Sequence, residues 1–197
     1  FYSVNQPGET KNFDEKSLDE VKKKVFNPLL NVVSFYEMYR TDESLDEDEY
    51  NPYINPTNVL DTWILAQLDI LSRTVSQGLD EYDVLMPARA IRDFINELST
   101  WYIRRSRDRF KSNDEMDRKK ALRTTQLILR NLSLIMAPFT PFIAEEIWQK
   151  VKWQRDPESV HLGWWIDRRD AEYDFKNVIS YMQTVRDVVT LGLEARQ

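Results

Sequence analysis

The residues best placed for chemistry in this 197-residue chain form one basic stretch, Leu98-Ser-Thr-Trp-Tyr-Ile-Arg-Arg-Ser-Arg-Asp-Arg-Phe110. On a helix, Trp101, Arg104, Arg105 and Asp108 are joined by three- and four-residue steps, and Arg104, Arg107 and Lys111 make a second ridge. A row of guanidiniums beside aromatic rings suits a phosphate backbone with splayed bases. The same residues also suit a solvated face, partly neutralised by Glu97 and Asp108, with Trp101 in the core. Spacing leaves both readings open. Between Trp101 and Arg130 ten bases meet four acids, an excess of six positive charges inside a chain of net charge −6. Within that excess, Arg118, Lys119, Lys120 and Arg123 are expected to return alongside on the next helix. Seven acids oppose Arg40 between Glu37 and Tyr50.

Other chemistries find little material. The chain has no Cys, which excludes disulfides, Cys-ligated zinc and thiol nucleophiles, and it has one His, His161, which excludes sites needing two imidazoles. Glu145 and Glu146 are adjacent on a helical pattern and point about 100° apart, so they do not converge on one atom. Their place in the first turns after Thr140 suits the helix dipole instead. The acidic run Asp42–Glu49 lacks the glycine an EF-hand loop needs at its sharp turn and reads as a solvated loop. No run of about 18 apolar residues is present, so no membrane-spanning helix is expected. The opening FYSVNQPGETKNF has neither the basic nor the apolar region of a signal peptide. It also lacks an initiator Met, and the chain reads as a piece of a longer one. Zero Cys fits a reducing cytoplasm.

The elements that would position these groups are helical. Only four glycines occur in 197 residues, and apolar residues make up 42%. A first pattern runs over about 17–39 through Leu18, Val21, Val25, Leu29, Val32, Phe35 and Tyr39, with Pro28 expected to kink or split it. Thr57 or Asn58 caps a second helix, with Asp61 placed for a capping box and a stripe of Leu60, Ile64, Leu68, Leu71, Val75 and Leu79. The third helix spans about 83–110, has Pro87 in its first turn, and buries Ile91, Phe94, Leu98 and Trp101. Asn113 or Asp114 starts the fourth, with Ala121, Thr125, Ile128, Leu132 and Ile135 inward. Thr140-Pro141 opens a short helix through about Val151. An irregular segment near 153–169 follows, with a strand possible near Val160, and then a last helix over about 170–196 carrying Val178, Met182, Val185 and Val189. Long amphipathic helices with short connections make an all-α, antiparallel bundle. The expected divisions are a connection at 1–16, the bundle at 17–152, and the irregular segment with the last helix at 153–197.

Three strings, LDTWILAQL (Leu60–Leu68), LSTWYIRRSRDRF (Leu98–Phe110) and MAPFTPFIAEEIWQ (Met136–Gln149), resemble the anticodon-binding helical domain of the isoleucyl-tRNA synthetases, a class Ia family. PGETKNFDEKSLDEVKKKVFNPLLNVVSFYEMY (Pro7–Tyr39) looks like that family's passage into the first bundle helix. SVHLGWW (Ser159–Trp165) is similar to its SVHLxxWP, with Ile166 where Pro is usual. The resemblance covers nearly the whole chain. The valyl and leucyl families share the WI and APF patterns, while WYIRRSRDRF points to the isoleucyl one.

The resemblance implies a parent enzyme that joins isoleucine to its tRNA with ATP and Mg, as a monomer, through HIGH and KMSKS motifs in a separate domain. This chain lacks both motifs; His161-Leu-Gly-Trp164 has no second His and follows the helices. No catalytic residue, metal or cofactor is therefore expected here. The expected partners are isoleucine tRNA and the catalytic and C-terminal domains of the same parent chain. The resemblance also places Asn31, on the first helix, near the anticodon loop, with Phe35 one turn on. Asn31 with Phe35 suits an unpaired base, or Asn31 caps a kink after Pro28. Arg104, Arg105, Arg107, Arg109, Lys111 and Arg123 are the expected backbone contacts, and Trp101 is either a stacking platform or core. The alternative is a structural or protein-interaction bundle whose basic helix meets an acidic partner or its own Glu37–Glu49 loop.

Overall fold

A computed structural model describes residues 14–40, 50–54, 58–166 and 176–196. Helix α1 (Glu15–Val21) starts where the Asp14 carboxylate accepts the Lys16 and Ser17 backbone N–H groups. It runs through a π-helical turn, Lys22–Phe26, into α2 (Asn27–Tyr39). Pro28 therefore does not split the helix. Its missing N–H falls just after the π turn, where the Asn27 N–H reaches back to the Lys22 carbonyl and the wider turn absorbs the irregularity.

Helix α3 (Val59–Asp80) is capped by Asn58, whose side chain accepts the Leu60 N–H. The expected capping box does not form, because the Asp61 carboxylate turns into the core. Helix α4 (Leu85–Glu97) starts where Asp83 Oδ1 accepts the Leu85 and Met86 N–H groups at 2.8 and 3.2 Å. It continues through a second π turn, Leu98–Ile103, into α5 (Arg104–Phe110). Asp114 caps α6 (Glu115–Met136), and α7 (Pro141–Val151) follows a turn at Pro138. The segment near Val160 is a 3-10 turn, Val160–Leu162, not a strand. It is followed by α8 (Lys176–Glu194).

The second π turn decides which side chains face inward. An inserted residue rotates everything after it by about 100°. The buried line passes from Ile91, Phe94, Ile95 and Leu98 to Tyr102, Ser106 and Phe110, and Trp101 is displaced to the edge. Core residues of α2, α3, α4 and α6, including Leu29, Ile64, Ile91 and Ile128, join in one apolar cluster. The α4–α5 helix has α2 on one side and α3 on the other, with α8 lying against α3. The short turns at 81–84 and 111–114 make α3, α4–α5 and α6 run alternately up and down, as expected of an antiparallel bundle. Among the described residues no strand occurs.

Candidate nucleic-acid interface

Helix α5 buries Ser106 and Phe110. At about 100° per residue this turns Arg104, Arg107, Asp108 and Lys111 outward. All four are exposed, and the side chains of Arg104, Arg107 and Lys111 have no ion pair or hydrogen bond among the described residues. Arg118, at the start of α6, is likewise unpaired and half-buried. Arg105 lies at the edge of this ridge on the α8 side, its guanidinium 4.5 Å from the Trp101 ring centre.

Two of the expected backbone contacts are spent inside the fold. Arg109 donates from Nη1 and Nη2 to the two oxygens of Asp61 at 2.7 and 3.0 Å, and from Nε to Asp117 at 3.1 Å. The Tyr102 hydroxyl donates to the same Asp61 carboxylate at 2.8 Å. Burial works against the charge on Arg109, but its hydrogen bonds to Asp61 and Asp117 outweigh that and hold it more firmly cationic than a free arginine. Burial and then the Asp61 charge push the Tyr102 hydroxyl well above its ordinary range, so it stays a neutral donor. Arg123 is only 5% exposed; it lies over Trp153 at 4.4 Å and donates to Gln126 at 3.2 Å. Arg130 covers the same indole at 4.1 Å and forks onto Asp156. Neither Arg109 nor Arg123 can reach a phosphate without dismantling these contacts.

The aromatic candidates are also packed. Phe35 sits 4.9 Å from both Tyr39 and Phe110, ring centre to ring centre, and is half-buried. It joins α2 to α5 and does not offer an open face. Trp101 lies between the guanidiniums of Arg105 and Arg186, the latter at 5.2 Å, and its indole N–H points to Met182 Sδ at 3.3 Å. Arg186 is fixed in turn by two hydrogen bonds to Glu97 at 2.6 and 2.8 Å.

Asn31 is exposed, and its side chain makes no hydrogen bond among the described residues, so it does not cap the Pro28 turn. It stands one turn before Phe35, as Arg107 stands nearly one turn before Phe110. The Phe35–Phe110 contact puts the helix that carries Asn31 beside the one that carries the cationic ridge. Arg40 and Glu37 meet α7, through the Lys150 carbonyl at 2.9 Å and the Lys150 ammonium at 3.0 Å. The acidic residues Asp42–Glu49 lie outside the described residues.

The two other sequence candidates are structural. Glu145 accepts from Ser159 Oγ and the Val160 N–H, both at 2.8 Å, and so pins the 3-10 turn to α7. His161 is exposed at that turn. No group of three or more His, Cys, Asp or Glu suited to a metal occurs among the described residues, and no described helix is long and apolar enough to cross a membrane.

Sequence reasoning missed the inward role of Arg109. The signal was Asp61, a carboxylate on the apolar stripe it shares with Leu65 and Leu68, which requires a buried cation. It also missed the part of α8 beside Trp101, since nothing in the spacing says which helix α8 lies against.

Residues 61–196 match the family described as the anticodon-binding domain of tRNA ligase. The chain is 37% identical over its whole length to the isoleucine–tRNA ligase of Clostridium novyi, of which it covers 19%. It is 41% identical over 82% of its length to that of Dehalococcoides mccartyi, covering 16%, and 34% identical over 99% of its length to that of Chlamydia trachomatis, covering 19%. The chain thus spans about a fifth of the length of these relatives. Matched by this description over more than half its length, the chain belongs to the anticodon-binding domain family of tRNA ligases.

Proposed function

We propose that this chain is the tRNA-binding unit of an isoleucine–tRNA ligase, holding the anticodon arm of isoleucine tRNA. The observation that carries this reading is the row Arg104, Arg107 and Lys111, cations on one face whose side chains meet no carboxylate among the described residues. Unpaired cations on a rigid helix attract phosphates and release condensed counterions, which makes binding fall with salt. Asn31, on the neighbouring helix with a free amide, can donate to and accept from a base edge. Anchoring one arm of an L-shaped RNA orients its distant acceptor end, a contribution through proximity to a reaction carried out elsewhere. ATP-dependent activation of isoleucine belongs to the longer parent, as a monomer in the cytoplasm. This chain alone forms no aminoacyl-adenylate.

The test is a titration with isoleucine tRNA at two salt concentrations, competed by the same tRNA with an altered anticodon. Preference for the unaltered tRNA, with weaker binding at higher salt, supports the reading. Equal binding of both assigns the domain an electrostatic role only. No binding at low salt rejects it.

A further inference from the structure

Between α8, the start of α3 and the second π turn lies a groove of about 680 Å³. One wall carries Leu60 and Trp101 and the other Tyr181 and Val185, with Arg105 and Asn177 at the polar positions. This is not sealed core: Tyr181 is 70% and Val185 51% exposed. We infer that this groove takes an unstacked nucleobase from the RNA whose backbone lies along Arg104 and Arg107. The inference rests on the RNA-binding reading above and deepens it.

Charge and continuity favour a base as the occupant. On α5, Arg105 is one residue, or about 100° of turn, from the Arg104 ridge, so an RNA tracking the ridge passes the groove mouth. Tyr181 presents a phenol ring to solvent, and base–aromatic stacking is tolerant of sequence. Asn177 is exposed and its side chain makes no hydrogen bond among the described residues, so both its donor and acceptor remain for a base edge. Arg105 already lies on the Trp101 ring at 4.5 Å. A phosphate arriving at the ridge competes for that guanidinium, and the vacated indole face is then open to the base. An apolar peptide would fill the same walls but would leave Arg105 in the lining, and the ridge beyond it, unmatched.

The test uses this chain and a hairpin RNA carrying the anticodon stem and loop of isoleucine tRNA. Tyr181→Ala is expected to weaken binding about tenfold, within the range for one stacked base, with the salt slope unchanged because no phosphate contact is lost. Hairpins abasic at one loop position at a time should include one position whose loss weakens binding by at least that factor in the unaltered chain and by clearly less in Tyr181→Ala. A 4-thiouridine in the loop should crosslink to the 177–185 stretch, a readout independent of the variant's folding. Unchanged affinity for Tyr181→Ala, with crosslinks only to α5, overturns the groove while leaving RNA binding intact. Absence of any binding at low salt overturns the RNA reading and the groove together.

Discussion

Asp61 and Arg109, 48 residues apart, close a two-pronged ion pair in which the carboxylate is fully buried. The pair ties α3 to α5, and the second hold of Arg109 on Asp117 ties both to α6. Arg109 sits on the same helix as Arg104 and Arg107, so its inward anchorage fixes the rotation that turns those two outward.

Asp61→Ala leaves the Arg109 charge and the Tyr102 hydroxyl without this partner. Removing one member of a buried pair costs about 3–5 kcal/mol. Tyr102→Phe removes one donor to a charged acceptor and should cost about 1.5–3 kcal/mol. Urea unfolding of both variants checks the order. A loss under 1 kcal/mol for Asp61→Ala would mean that Asp117 alone holds α5.

Arg107 and Arg123 should separate cleanly. Arg107→Gln removes an exposed, unpaired cation and is expected to leave thermal stability within about 0.5 kcal/mol. It should lower the tRNA salt slope by about one. Arg123→Gln loses the stack on Trp153 and should destabilise the fold while leaving the salt slope alone. Melting curves and binding at two salt concentrations, measured on the same preparations, test the pair. The reverse assignment would put the RNA on α6.

The difference between these arginines marks the limit of what the chain's letters disclose. The helices were legible because apolar residues such as Ile64, Leu68, Leu71 and Val75 recur at helical spacing, and the caps Asn58 and Asp114 stand where local chemistry requires them. The π turns were not legible. An inserted residue leaves no trace in a 3.6-residue period, so the spacing predicts Trp101 on the core face, where the structure has Tyr102. Nor can spacing tell a cation facing water from one facing a carboxylate on another helix, which is why Arg109 and Arg123 read as contacts. Arg104, Arg107 and Lys111 are exposed because Ser106 and Phe110 take the inward face of α5 and Arg109 is anchored to Asp61.

The α3–α4 turn contains two opposed backbone effects. Tyr82 has φ of 60°, the left-handed conformation that glycine adopts most easily, and its ring is 92% exposed. The Asp83 N–H bonds the Gly78 carbonyl at 2.8 Å, closing a Schellman turn around it. Tyr82→Gly should stabilise by about 1 kcal/mol. Gly78→Ala should destabilise, because a Cβ there would meet Pro87 Cγ at 2.4 Å and Cδ at 2.8 Å. Paired melting curves check the opposite signs.

Glu145 supplies a pH signature. Desolvation is the largest single effect and raises its pKa, but hydrogen bonds from Gln149, the Val160 N–H and Ser159 together outweigh it and bring it below the ordinary 4.5. A carboxylate with a lowered folded pKa binds fewer protons folded than unfolded, so it stabilises above its unfolded pKa. That contribution is lost as pH falls through the lower, folded value. Glu145→Gln should therefore be less stable than the unaltered chain at pH 7, with the gap closing below about pH 4.5. Unfolding series at several pH values test this, and a gap that widens on acidification contradicts it.

The most direct measurement for the central claim is the slope of log affinity against log salt for isoleucine tRNA, comparing the unaltered chain with Arg104→Gln/Arg107→Gln. Phosphates seated on the ridge predict a slope shallower by about two in the double variant, with the fold unchanged by circular dichroism. An identical slope in a folded variant would contradict the account, because the RNA would then be held by some other face of the bundle.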